Sequence, residues 1–179
     1  MNRLALSGLA LVVAATAVMA VPEGNAVAAG GGAPDAPAEQ YCVIVVGKAV
    51  KGELSPVRSK TCGSSPVSKS LVKASANTVL LMEWFEHANN SPSSLTRVHG
   101  EAGDCDADGY RLRATGFWAN RISGFNAYSK CNVATGYDLV NLSGDRQTWR
   151  MDKPCKCLLQ GWVGAYMNDR IESFWIRQG

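Results

Sequence analysis

Tyr166-Met167-Asn168-Asp169-Arg170-Ile171-Glu172-Ser173-Phe174-Trp175-Ile176 lies at the end of the chain, and an imperfect copy, Phe117-Trp118-Ala119-Asn120-Arg121-Ile122-Ser123-Gly124-Phe125, lies upstream. The shared frame is Asx-Arg-Ile-x-x-Phe, with Asn120 against Asp169 and Phe125 against Phe174. A spacing of roughly fifty residues is within the range of repeated supersecondary units. In each copy the polar pair predicts a tight turn, and the Ile and Phe that follow predict a buried pair. The chain therefore reads as an internal duplication, with repeats over about residues 78–128 and 133–177.

The residues between these turns set the fold class. Thr78 to Phe85 is a strand by composition, and the second unit opens near Gly136-Tyr137-Asp138-Leu139-Val140. Short β-prone runs follow at 94–98, 109–114, 147–151 and 160–163, separated by Gly, Pro, Asp and Ser. Such spacing predicts an all-β sandwich with Greek-key connections. Tyr137 is followed seven residues later by Gly144, whose backbone freedom suits a folded-over hairpin; Phe85 meets Pro92 at the same distance.

Upstream of the repeats, residues 1–28 have a short basic head, an apolar run and a small-x-small site, the pattern of a cleaved secretory signal peptide. Residues 29–40 read as a flexible leader, and 41–76 as an N-terminal extension with no counterpart in the duplication. Within it Tyr41 to Val46 predicts a strand, and 64–76 allow one short helix. The extension is expected to cap one end of the repeat pair, and 77–179 to form the domain proper.

Composition excludes several classes of function. The 179 residues are 46% hydrophobic and 18% charged, as in a globular protein. Net charge is +3 with no long basic run, so no nucleic-acid partner is expected, and none of the chain after signal cleavage is expected to enter a membrane. Six cysteines, all after the cleavage point, predict disulfides in an exported protein but permit fifteen pairings. The expected pairs are local, Cys42 with Cys62 and Cys105 with Cys131. Cys155 and Cys157 are spaced too tightly for an easy bridge, so their pairing stays open. A zinc site from Cys155, Cys157 and His99 is the sharper but disfavoured use of the same residues. His87 and His99 fall in predicted loop or edge positions outside any nucleophile or metal motif, and no catalytic residues are expected.

The aromatic-x6-Gly pattern at Tyr137 to Gly144, and the Asx-Asx-x-x-Ser/Thr-Ser turn in Asn168-Asp169-Arg170-Ile171-Glu172-Ser173, resemble those of the βγ-crystallin family over residues 78 to 177. The similarity is greatest to its secreted actinobacterial branch. The resemblance implies a βγ-crystallin-like sandwich of two Greek keys with a disulfide-closed extension, and a calcium clamp made by exchanging oxygens between the turns. The clamp residues it implies are Asn120, Ser123, Asn168, Asp169 and Ser173. Both turns depart from the pattern: Ala119 and Gly124 replace two positions of the first, and Glu172 stands where a hydroxyl belongs in the second. Since calcium takes six to eight oxygens, the expectation is weak or vestigial binding, the turn residues mainly hydrogen-bonding the backbone. The implied function is a secreted, non-catalytic module whose partner is an extracellular protein or glycan. The alternative is a secreted proteinase inhibitor or killer-toxin-like protein presenting the loop from His87 to Ser94.

Overall fold

Two stretches of chain trace one path twice in the computed structural model, which describes residues 41–50, 52–151 and 157–179. The first is β3 (Val79–Phe85), β4 (Leu95–Gly100), β5 (Tyr110–Arg113) and β6 (Gly124–Ala127); the second is β7 (Val133–Leu139), β8 (Ser143–Arg150), β9 (Leu158–Gln160) and β10 (Ser173–Arg177). Within each copy the first strand pairs antiparallel with the second and the fourth. The third strand crosses over, so that β5 pairs with β10 and β9 with β6. The result is an all-β sandwich of two interlocked Greek keys, of the βγ-crystallin-like kind. Neither repeat can complete its sheet without a strand from the other.

The core follows from the same symmetry. Ile122, Phe125, Ile171 and Phe174 are fully buried, as the duplicated frame requires. The two phenylalanine rings meet edge-on at 5.3 Å, Phe174 stacks on Trp84 at 6.2 Å, and Phe125 meets Trp149 at 5.1 Å. Buried aromatics in this offset geometry contribute more than their area alone. Trp84, Trp118 and Trp149 are core residues, while Trp162 is half exposed.

The extension does not cap an end of the pair. It widens one sheet: β1 (Tyr41–Val46) lies parallel beside β4, and β2 (Val57–Gly63) pairs antiparallel outside β1, giving the order β2-β1-β4-β3-β6-β9 opposite β5-β10-β7-β8. The cause is legible in Tyr-Cys-Val-Ile-Val-Val, a run apolar on both faces, which suits a strand covered on both sides. Ile44 and Val46 join the sandwich core, while Val43 and Val45 pack under Leu71 of the helix α1 (Lys69–Ala74). Six residues cannot hold a helix in water unaided, so α1 depends on this contact. Cys42 lies directly opposite Cys62 and is bonded to it; Cys105 is bonded to Cys131.

Ser55 blunts the free edge of β5. Its N–H donates to the Arg111 carbonyl at 2.7 Å, and its Oγ accepts from the Arg111 N–H at 3.0 Å. Beneath this strap Ile44, Val46, Trp84, Val98 and Leu112 line an apolar pocket.

His99 is not at a loop or edge. Because β1 pads β4, it sits inside the six-stranded sheet and is buried, with Nδ1 3.1 Å from Thr78 Oγ1. Cys157 is disulfide-bonded, which removes it from any zinc set; Cys155, the leader and the signal segment lie outside the described residues. No helix among the described residues is long and apolar enough to cross a membrane.

Candidate cation site between the two turns

Asn120 and Asp169 occupy equivalent places, and both take the left-handed backbone conformation, at φ 57° and 53°. Among side-chain-bearing residues Asn and Asp tolerate it best, since their short polar groups bond locally. The Asx at this point of each repeat therefore has a backbone reason that holds with or without an ion.

The two turns face each other and exchange bonds in matched pairs. The Asn120 N–H donates to the Ile171 carbonyl and that of Asp169 to the Ile122 carbonyl, at 3.3 and 3.4 Å. The Ser123 N–H reaches the Phe85 carbonyl and the Glu172 N–H the Tyr137 carbonyl, at 3.0 and 2.9 Å. The side chains repeat the crossing: Ser123 Oγ donates to Asp169 Oδ1 at 3.0 Å, and Asn120 Nδ2 donates to Glu172 Oε1 at 2.7 Å. The length of Glu172 carries its carboxylate across to the opposite turn.

Asn168 joins this group, donating from Nδ2 to Asp169 Oδ2 at 2.7 Å and accepting the Trp162 indole N–H at 3.2 Å. Ser173 stands apart. It is fully buried, its hydroxyl donates to the Leu139 carbonyl, and it accepts the Leu142 N–H at 3.1 Å. The structure thus brings together Asn120, Ser123, Asn168, Asp169 and Glu172, and leaves Ser173 to the β7–β8 turn. That turn also depends on Gly144, at φ +80°, where a Cβ would collide with Asp138.

Two residues outside the expected clamp set, Glu86 and Arg121, complete the site. Glu86, Asn120, Ser123 and Asp169 border one open cleft together with His87 and Arg121. Arg121 Nη1 pairs with Glu86 Oε1 at 3.0 Å. The twofold-related pair is Arg170 with Asp138, 2.9 Å, to which Asp145 adds a contact at 2.8 Å. The repeated Arg after the Asx was the available signal, since in both copies it returns to an acid near the end of the first strand of its repeat, Glu86 just past β3 and Asp138 within β7. Arg170 holds the Asp145 carboxyl below the usual carboxylate range, chiefly through their hydrogen bond. Buried Asp138 Oδ1 has no hydrogen-bond partner.

A hard cation fits the donor chemistry of the cleft, because two carboxylates, a hydroxyl and an amide border it. It fits poorly in charge, because a guanidinium already holds one of the carboxylates. No group of three or more His, Cys, Asp or Glu residues among the described residues is arranged to hold a metal. The His87–Ser94 loop is pinned at three points: the Asn89 N–H bonds the Gly161 carbonyl at 2.6 Å, Asn90 bonds Asn126, and Tyr41 bonds the Pro92 carbonyl.

Strand exchange and facing turns together define the class: an all-β module of two Greek keys with a βγ-crystallin-like pairing scheme. No protein-family model matches the chain, and no curated protein matches it. Among solved structures it is similar to a βγ-crystallin domain from Clostridium beijerinckii, at 13% identity and a TM-score of 0.38, over 54% of this chain and 97% of that one. A mutant of the same domain matches at 14% identity and a TM-score of 0.37.

Proposed function

We propose that this chain is an exported, non-catalytic βγ-crystallin-like module whose paired turns hold calcium weakly. The observation that supports this most is the crossed set of oxygens, with Ser123 of one turn bonded to Asp169 of the other. Asp169, Ser123, Asn120 and Glu86 would hold the ion, with backbone carbonyls completing the six to eight oxygens calcium takes. A bound calcium would supply a charge-bearing tie between the Greek keys, and no reaction. Arg121 already neutralises Glu86, so the ion must compete with a guanidinium; this supports a weak site. The Cys42–Cys62 and Cys105–Cys131 bridges suit an oxidising compartment, and with the expected signal peptide they support export.

Calcium titration of the purified chain by calorimetry, with thermal unfolding alongside, tests the proposal. Near its dissociation constant calcium should add under about 1 kcal/mol of stability. Glu172→Ser should tighten binding, because it releases the Asn120 amide and returns a short hydroxyl. Asp169→Asn keeps the left-handed turn but removes the charge, and should abolish the heat. Micromolar affinity in the wild type would overturn the weak site. Silence from both wild type and Glu172→Ser would make the turns purely structural, and inhibition in a panel of secreted proteases would then favour the inhibitor reading.

A further inference from the structure

The arginines among the described residues divide by position. Arg58, Arg97, Arg121 and Arg170 each hold a carboxylate. Arg111, Arg113, Arg146, Arg150 and Arg177 hold none, and all five are on the outer face of the four-stranded sheet. Strand alternation puts them there. Leu112, Phe174, Ile176, Ala134 and Trp149 point into the core, so their neighbours point out. The register aligns Arg111, Trp175, Thr135 and Thr148 in one row, with Arg113 and Arg146 ending the next. Arg177 and Arg150 flank Val133 in a third row. The outermost arginines stand about 14 Å apart, three strand spacings. The carboxylates on these strands, Asp138 and Asp145, both pair with Arg170.

This face is ordered without being neutralised. The Arg177 guanidinium lies 4.0 Å from the Trp175 ring centre and that of Arg111 5.2 Å from it, cation–π contacts that hold both groups in place. Arg177 is part-buried, and it is the rest of its guanidinium, not the buried Nη1, that an anion can reach. Burial, and next the charge of Arg150, lower the Arg177 pKa. A fold that only needed solubility would not gather on one face five guanidiniums that hold no carboxylate, two of them against a single indole. A partner carrying anions would satisfy them, since the guanidinium fork matches sulfate and carboxylate with two parallel bonds.

We propose that the outer face of the β5-β10-β7-β8 sheet is a binding surface for a linear acidic polysaccharide, its sulfate or carboxylate groups seated on Arg111, Arg113, Arg146, Arg150 and Arg177. A polysaccharide fits better than a nucleic acid. The indole of Trp175 is already engaged by two guanidiniums, and sequence-tolerant binding of single strands needs aromatic faces on which bases stack. The absence of a basic run in the sequence is no objection, because alternation spreads the patch over Arg111-x-Arg113, Arg146-x-x-x-Arg150 and Trp175-x-Arg177.

The test is binding of the full chain to heparin, in chelator so that the outcome is separate from the calcium reading, with folding followed by circular dichroism. Affinity should fall about 10- to 100-fold between 50 and 200 mM salt, as release of condensed counterions requires. Arg146→Glu with Arg150→Glu should weaken binding at least about tenfold, and the gentler Arg146→Gln with Arg150→Gln should do so in part should the reversal fail to fold. Lys69→Glu with Lys73→Glu on α1, the same charge change off the face, should leave it nearly unchanged. No wild-type binding at the lower salt, or equal weakening by the α1 pair, would overturn the proposal. Tighter binding to an oligothymidylate or to phosphatidylserine vesicles would overturn the choice of polysaccharide.

Discussion

At the scale of single residues, four side chains tie the facing turns together, Asn120 bonded to Glu172 and Ser123 to Asp169. Asn120 and Asp169 stand out because two copies share one frame, and the left-handed turn explains why Asn or Asp is needed there. The crossing of Asn120 to Glu172 and of Ser123 to Asp169 depends on distances between segments 52 and 46 residues apart, which no local pattern encodes. His99 shows the same limit: its burial is imposed by a strand more than fifty residues earlier in the chain. Its pKa is lowered, first by burial and then by the Arg97 charge, with Glu83 opposing, and its Nε2 is buried without a partner. The unfolded chain, with His near 6.5, therefore takes up a proton more readily than the folded one. The stability associated with neutral His99 is complete above about pH 6.5 and is lost as pH falls below it. Urea midpoints measured from pH 7.5 down to 5 should decline in the wild type and less steeply in His99→Gln; parallel declines would remove His99 as the cause.

At the scale of elements, strands with two-faced apolar character were the clearest. Tyr41 to Val46 reads as a covered strand, and it is one. What it pairs with could not be read, because pairing with β4 is parallel and its cover is a six-residue helix whose one buried residue is Leu71. The outer face of the four-stranded sheet is hidden in the sequence for the opposite reason, since period-two arginines look like ordinary exposed strand positions until the register places them side by side. The Cys42–Cys62 bridge joins directly opposed residues of β1 and β2, and β2 is otherwise largely exposed. Replacing both cysteines with serine should cost about 2–4 kcal/mol. The loss should be felt first in the extension, so hydrogen exchange should rise in β1, β2 and α1 before it rises in β6 or β10. Uniform acceleration would show instead that the six-stranded sheet opens as one unit.

At the scale of the whole molecule, the duplication in the sequence became a twofold relation in the fold, reaching the backbone bonds of the turns and the Arg–acid pairs beside them. Strand exchange makes the repeats interdependent, and the contact of Phe125 with Phe174 tests how far. The rings come from equivalent positions of the two Greek keys and touch at 5.3 Å. Phe125 also meets Trp149 of the second repeat, and Phe174 meets Trp84 of the first. Truncating either ring to leucine leaves the partner ring without its edge-on neighbour and opens space the other cannot fill. Once one ring is gone, the second substitution has less to remove. A double-mutant cycle of Phe125→Leu and Phe174→Leu, read by urea unfolding, should therefore show less than additive loss, with coupling of about 0.5–1.5 kcal/mol. Additive losses would mean that the two keys, though interleaved in their sheets, are energetically separate where their cores meet, and that exchanged strands rather than shared aromatics bind the repeats together.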